Sequence, residues 1–107
     1  MEESYEISFQ LILHAGDAKS SAMEAILFSN EGDFDKAEES LKKAADELKE
    51  AHTIQTKLIQ DEAGGNGAQL NILLVHAQDH LCMAMMTIDF AKQMLNMNKR
   101  IRELEEK

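Results

Sequence analysis

Three side chains with acid–base and ligand chemistry lie close together in an otherwise apolar stretch. The segment "LLVHAQDHLCMAMM", residues 73–86, contains His76, Asp79 and His80. Their spacing of i, i+3 and i+4 places all three on one face of an α-helix. The cluster has three interpretations: a polar patch at the end of an apolar surface, a metal site, or a site that handles a phosphoryl group.

A metal site is the first chemical possibility. Two imidazoles and a carboxylate at this spacing can point at one ion, as in helical zinc motifs. The acid here does not occupy the glutamate position of H-E-x-x-H, and a di-iron bundle needs Glu-x-x-His pairs on two helices. If an oligomer brought several copies of Asp79 together around an axis, their carboxylates would favour a hard cation such as Mg²⁺.

Phosphoryl transfer is the second chemical possibility. A neutral imidazole nitrogen is a competent nucleophile near neutral pH and needs no separate base to activate it. A nearby carboxylate can orient the ring, and a second histidine one turn along can donate a hydrogen bond to a phosphoryl oxygen. The spacing of the three residues is compatible with this chemistry but does not select it over metal binding.

The composition predicts an all-α protein. The 107 residues fit one domain, 1–107, and they include no proline, no tryptophan and only five glycines. Alanine, glutamate, lysine, leucine and methionine dominate, and these residues favour helices. Scarce aromatic residues argue against a β-sandwich or barrel.

The charge and apolar patterning exclude several classes of partner. A net charge of −9 opposes binding to nucleic acid or to an anionic lipid surface, because both need a basic footprint. The apolar stretches are too short for a membrane span, and the chain opens on an acidic segment rather than a signal-peptide pattern. A single cysteine cannot form an internal disulfide. We therefore expect a cytoplasmic protein that does not insert into the membrane.

Two breaks divide the chain into three helices. Gly32 and Asp33 in "NEGDFD" can end one helix and cap the next, and Asn66 followed by Gln69 in the glycine-rich second break is a weak capping box. The predicted helices are about 3–30, 33–62 and 67–105. Short connections between long helices predict an antiparallel three-helix bundle.

The second and third helices differ in their apolar patterns. The second carries one heptad stripe, at Phe34, Ala37, Leu41, Ala44, Leu48, Ala51, Gln55 and Leu58. The third carries two stripes on roughly opposite sides. Its first stripe is Leu70, Leu73, Leu74, Ala77, Leu81, Ala84, Ile88, Ala91 and Leu95. Its second stripe is His76, His80, Met83, Thr87, Phe90, Met94, Met97, Ile101 and Leu104.

A monomeric bundle has a use for only one of these stripes, since only one can face the other two helices of the same chain. The second stripe would be a large exposed apolar surface unless another chain covers it. We therefore expect an oligomer with the third helix at its centre, and with His76 and His80 on the seam between chains. Heptad packing does not by itself fix the number of chains.

Three segments carry a resemblance to a known family. They are "GDFDKAEESLKKA", "AHTIQTKLIQDEAGG" and "LLVHAQDHLCMAM". Together they resemble the enzyme IIA proteins of the lactose/cellobiose (chitobiose) type in the bacterial sugar phosphotransferase system. The "VHAQDHL" block is the most specific part, and the likeness extends over most of the chain.

The resemblance implies a function for each polar residue of the block. His76 would accept a phosphoryl group from the histidine-containing phosphocarrier protein and pass it to a cysteine of the cognate IIB component. Asp79 would meet its symmetry copies around a Mg²⁺ ion at the axis of a nine-helix homotrimer. Gln78 and His80 would line the site. The pathway would serve uptake of lactose-type or cellobiose/chitobiose-type sugars.

Two other interpretations compete with the phosphoryl carrier. One is a helical oligomeric adaptor, and the other is a metal-binding bundle without phosphoryl chemistry. Among the remaining candidate residues, His52 is expected to make a core or interface hydrogen bond. His14 is expected to be structural or exposed, and Cys82 is expected to be a small buried hydrophobe.

Overall fold

The protein is an elongated bundle of three α-helices in a computed structural model that describes residues 2–107, with side-chain environments from residue 5 onward. The helices are α1 (Glu2–Asn30), α2 (Phe34–Ala63) and α3 (Ile72–Glu105). The bundle measures 60 × 21 × 19 Å. The predicted all-α bundle is confirmed, and both ends of α1 and α2 lie within one residue of their predicted positions.

The first turn of the chain follows its sequence signals. Gly32 adopts a φ of 81°, a left-handed conformation that glycine reaches without steric cost. Asp33 then caps α2, because its carboxylate accepts a hydrogen bond from the Lys36 backbone N–H at 3.3 Å. The reversal places α1 and α2 side by side and antiparallel.

The start of α3 differs from the prediction. The helix begins at Ile72, and its cap is Asn71 rather than Asn66. The Asn71 side-chain oxygen accepts a hydrogen bond from the Leu74 N–H at 2.8 Å. Residues 66–71 form a connection without regular secondary structure instead of a first helical turn. Leu70, which the sequence pattern assigns to the first stripe, consequently precedes the helix and is exposed.

The core is built largely from alanine. One buried cluster contains Ala15, Ala18, Ala22, Ala44, Ala84, Ile88 and Ala91, and a second contains Leu11, Ala51, Ala77 and Leu81. Small side chains let helix axes approach closely. α1 packs extensively on both α2 and α3, whereas α2 and α3 share a smaller contact with each other. The rotation of each helix about its axis is therefore fixed mainly by its alanine face.

The two stripes of α3 have opposite environments in the chain. The first stripe is buried from Ala77 to Leu95, as predicted. The apolar part of the second stripe is exposed, and its large members are Met83, Phe90, Met94, Met97, Ile101 and Leu104. We call these residues the exposed α3 stripe. It extends over about 30 Å of helix, from a 1.5 Å rise per residue.

The far end of α3 is tied to the turn between α1 and α2. The Asn98 side-chain amide donates to the Ser29 hydroxyl and to the Asn30 side-chain oxygen, both at 2.8 Å. Lys99 forms an ion pair with Glu38 at 2.9 Å. These contacts, together with the alanine core, attach the C-terminal part of α3 to the end of α1 and the beginning of α2.

None of the helices within residues 2–107 combines the length and the hydropathy that crossing a bilayer requires.

Candidate functional site

The position of the histidines follows from the buried residues next to them. Ala77 and Leu81, one turn apart, pack into the core cluster that also holds Leu11 and Ala51. Successive helical residues are rotated by about 100°, so His76 and His80 lie off this buried line. His76 is exposed and His80 is half-buried. The site therefore has a rigid base and an accessible outer face.

The two imidazole rings contact each other directly. Their Nε2 atoms are 3.1 Å apart, and the rings meet edge to face with centroids separated by 4.5 Å. Such a contact is a hydrogen bond in which one Nε2 carries the hydrogen and the other offers its lone pair. If His80 donates, His76 carries its own hydrogen on Nδ1 and presents an Nε2 lone pair. The pairing thus provides a nucleophilic nitrogen with a donor beside it.

Asp79 belongs to the same turn of α3 and is exposed. Within residues 5–107, no group of three or more histidine, cysteine, aspartate or glutamate side chains is arranged to hold a metal ion. Asp79 is therefore not part of a cluster of three protein ligands among these residues.

Gln78 lies on a different side of α3 from the histidine pair. Its side-chain amide forms two reciprocal hydrogen bonds with Gln55 of α2, each 2.7 Å long. In one chain it therefore joins α2 to α3 and does not contact the imidazoles. The partner, Gln55, occupies a position in the heptad stripe of α2, and the sequence pattern assigns it no function. The sequence does carry a signal for this contact, because Gln55 is a polar residue at an otherwise apolar heptad position.

An open apolar groove lies beside this glutamine pair. Its volume is about 420 Å³, and it runs between the end of α2, the connection after it and the beginning of α3. Its apolar lining is Leu58, Ile59, Ala63, Ala68, Leu70, Leu74 and Val75. Val75 is exposed and directly precedes His76, so one edge of the groove lies next to the histidine pair along α3.

The other three candidate residues lie outside the site. Cys82 is exposed, which corrects the expectation of a buried side chain, because the buried line of α3 passes through Leu81 and Ala84 instead. His52 is exposed on α2, so the expected core hydrogen bond is wrong, and the alternative of an interface hydrogen bond stays a prediction. His14 contacts Glu47 of α2 through Nδ1 and Oε2 at 2.9 Å, which is a structural contact between helices.

Comparison with known proteins agrees with this architecture. The family model described as "PTS system, Lactose/Cellobiose specific IIA subunit" matches residues 6–99. The lichenan-specific phosphotransferase enzyme IIA component of Bacillus subtilis is 48% identical over 102 residues, which are 95% of this chain and 93% of the relative.

Two solved structures show the same fold. The cellobiose-specific enzyme IIA of Bacillus anthracis superposes with a TM-score of 0.93 at 41% identity, covering 96% of this chain and 94% of the other. The IIA(chitobiose) protein of Escherichia coli, solved in complex with HPr, superposes with a TM-score of 0.81 at 32% identity, covering 95% and 99%. The chain, with its paired histidines on a three-helix bundle, belongs to the lactose/cellobiose-specific IIA subunit family of the phosphotransferase system.

Proposed function

We propose that the protein is a cytoplasmic phosphoryl carrier in which His76 accepts a phosphoryl group from the histidine-containing phosphocarrier protein and passes it to a cysteine of a IIB component. The pathway would support uptake of lactose-type or cellobiose/chitobiose-type sugars. The observation that carries the proposal is the 3.1 Å contact between the Nε2 atoms of His76 and His80 on an accessible face of α3.

The arrangement suits transfer between two nitrogen atoms. The P–N bond to the donor's imidazole breaks as a P–N bond forms to Nε2 of His76, whose lone pair attacks without prior removal of a proton. Negative charge on the transferred group lies mainly on its peripheral oxygens. The Nε2–H of His80, released from its bond to His76, then donates to one of these oxygens. In the onward transfer the P–N bond to His76 breaks as a P–S bond forms to the thiolate of the IIB cysteine, and the lone pair returns to Nε2 of His76.

The surface around the histidines suits a protein partner rather than a small molecule. His76 is exposed, and Val75 connects it to the apolar groove between α2 and α3. The solved complex of the E. coli relative with HPr supports the same donor for this chain. A shallow apolar surface beside a reactive ring allows a partner to dock, exchange the phosphoryl group and leave.

The assembly we propose is a homotrimer of nine helices with α3 at the centre. The exposed α3 stripe supports it, because so long a line of large apolar side chains is rarely left in water. Asp79 lies near the histidine end of this stripe. Three copies meeting at an axis would supply the carboxylate oxygens that Mg²⁺ prefers. The ion would neutralise the three charges and would take no part in the transfer step.

The proposed activity is tested by reconstituting the relay. The purified protein is incubated with phosphoenolpyruvate, enzyme I and the phosphocarrier protein, and we expect one acid-labile phosphate per chain, which fragment mass spectrometry locates on His76. Addition of a IIB domain should then discharge it. A chain that stays unlabelled while a known IIA protein is labelled in the same mixture would exclude the function.

A second prediction concerns Asp79 and Mg²⁺. Removal of Mg²⁺ should lower the thermal unfolding midpoint of the wild type, because three uncompensated carboxylates then repel one another at the axis. A loss of about 1 kcal/mol per chain would lower the midpoint by roughly 4–8 °C for a domain of this size. The Asp79→Asn variant, which lacks the repulsion, should unfold at the same temperature with Mg²⁺ and with chelator.

The matched control for this measurement is Asp89→Asn. Asp89 is also an exposed aspartate of α3, so its replacement removes the same charge at a position with no proposed metal contact. This variant should keep the chelator sensitivity of the wild type. If Asp79→Asn kept it as well, the ion would not be held by Asp79.

A further inference from the structure

The two imidazoles of the site have the geometry of a chelating pair. We propose that His76 and His80 form a bidentate site for a borderline divalent transition-metal ion, such as Zn²⁺, Ni²⁺ or Cu²⁺, and that occupancy of this site prevents phosphorylation. The site is distinct in ligands and in ion class from a Mg²⁺ site built of Asp79 carboxylates. Its effect on phosphorylation rests on the proposed function, whereas metal binding itself does not.

The distance between the two nitrogens matches the span of one metal ion. Zn²⁺ binds imidazole nitrogen at about 2.0–2.1 Å. Two such nitrogens are then about 2.9 Å apart at a right angle and about 3.3 Å apart at the tetrahedral angle. The observed Nε2–Nε2 distance of 3.1 Å lies between these values. The ion could bind without movement of the α3 backbone.

Only the ring orientations have to change. In the hydrogen-bonded pair one lone pair points along the line between the two nitrogens, whereas chelation needs both lone pairs directed at a common point beside it. Rotation about the Cβ–Cγ bond of histidine meets a broad, shallow energy profile. In the single chain His76 is exposed and His80 is only half-buried, so the chain's own side chains leave both rings room to turn. The hydrogen on the donating Nε2 transfers through solvent to Nδ1 of the same ring.

The chemistry of the donors selects the ion. Imidazole nitrogen suits zinc, copper and nickel, while Mg²⁺ and Ca²⁺ prefer oxygen ligands. Since residues 5–107 contain no cluster of three or more candidate ligands, two protein nitrogens and water would complete the coordination. Such a site is open and exchangeable, unlike a structural zinc site with four protein ligands. The chain's net charge of −9 raises the local cation concentration.

Metal binding and phosphorylation would compete for the same atom. The Nε2 lone pair of His76 that attacks phosphorus is the lone pair that binds the metal, and the donor hydrogen of His80 Nε2 is lost when that nitrogen becomes a ligand. The two events are therefore mutually exclusive. Linkage then requires the reverse effect as well, so the phosphorylated chain should bind the metal more weakly.

Direct binding provides the first test. Zn²⁺ is titrated into the unphosphorylated protein in phosphate-free buffer containing Mg²⁺, and histidine side-chain ¹⁵N resonances are recorded together with calorimetry. We expect the Nε2 resonances of His76 and His80 to shift together at one ion per chain. His80→Asn should weaken binding by at least roughly tenfold, whereas His52→Asn should not. Equal affinity in wild type and His80→Asn, or shifts confined to His14 and His52, would overturn the proposal.

Labelling by the relay provides the second test. At a Zn²⁺ concentration about ten times the measured dissociation constant, roughly a tenth of the chains keep a free acceptor, so the wild-type rate should fall about tenfold. The slower His80→Asn reaction should keep about half of its rate or more at the same Zn²⁺ concentration, because a tenfold weaker site is then only about half occupied. Because this variant binds Zn²⁺ more weakly, the loss of its labelling rate also measures any inhibition of the other relay proteins by Zn²⁺. An equal fractional loss in both chains would overturn the competition, and a chain that binds Zn²⁺ but is never labelled would contradict the proposed function instead.

Discussion

Replacement of His76 by alanine should abolish acid-labile labelling by the relay, while replacement of His80 by alanine should leave a slower reaction. The two effects differ because the residues supply different things. His76 supplies the lone pair that forms the P–N bond, and alanine offers no substitute. His80 supplies a hydrogen bond to the transferred group, which lowers the barrier without being consumed.

The size of the His80 effect follows from the energy of a hydrogen bond to a charged group. Such bonds contribute about 1.5–3 kcal/mol, which corresponds to roughly a ten- to hundredfold change in rate. His80→Ala should therefore label roughly ten- to a hundredfold more slowly while still reaching one phosphate per chain. His80→Gln, which retains an N–H donor at a similar distance, should recover part of the loss.

The measurement is the initial rate of labelling at equal concentrations of the relay proteins, with His52→Ala as the control. His52 is an exposed histidine of α2 away from the pair, so its replacement should leave the rate unchanged. Circular dichroism of each variant checks that the helices are intact. Full labelling of His76→Ala would assign the phosphoryl group to a different residue, and a wild-type rate for His80→Ala would remove the role of the 3.1 Å contact.

Helix positions and faces were predictable where the sequence offers a single solution. α2 has one apolar stripe and one set of cap residues, and its bounds and buried face agree with the prediction. α3 has two stripes, and the structure buries the one richer in alanine and leucine. That choice is physical, because alanines such as Ala77 and Ala84 admit close approach of α1, whereas the methionines of the second stripe do not.

Features that depend on competition between similar residues were not predictable. Asn66 and Asn71 can both cap a helix, and only Asn71 is followed directly by residues that continue the first stripe in register. Cys82 lies between the two stripes, where a rotation of a few tens of degrees decides exposure. The reciprocal hydrogen bonds between Gln55 and Gln78 depend on the approach of α2 to α3, which no local pattern encodes.

The histidine pair was predictable in its position but not in its contact. The i, i+4 spacing places His76 and His80 on one face, and the structure brings their Nε2 atoms together. The exposed apolar residues of α1, such as Phe9 and Leu27, were missed because this helix has no regular apolar period. Because these residues are exposed, the apolar surface that another chain could cover extends beyond α3 onto α1.

The oligomer should dissociate when a charge is introduced into the exposed α3 stripe. Met97 is 58% exposed in the chain, so Met97→Glu should leave the three-helix bundle itself folded. In a trimer centred on α3 the same change would bury several carboxylates without partners. Burial of an unpaired charge costs several kcal/mol, and each 1.4 kcal/mol changes an equilibrium tenfold. The variant should therefore sediment as a monomer at micromolar concentration, where the wild type sediments as a trimer.

Asn96→Glu is the matched control for this experiment. Asn96 is an exposed neighbour of Met97 on α3 but lies outside the exposed stripe, so the substitution adds the same charge to the same turn without entering the seam. It should sediment as the wild type does. Helical circular dichroism of Met97→Glu distinguishes a dissociated bundle, which keeps its signal, from an unfolded chain. If Met97→Glu retained the wild-type sedimentation coefficient, α3 would not form the centre of the assembly, and the convergence of Asp79 copies on one axis would lose its structural basis.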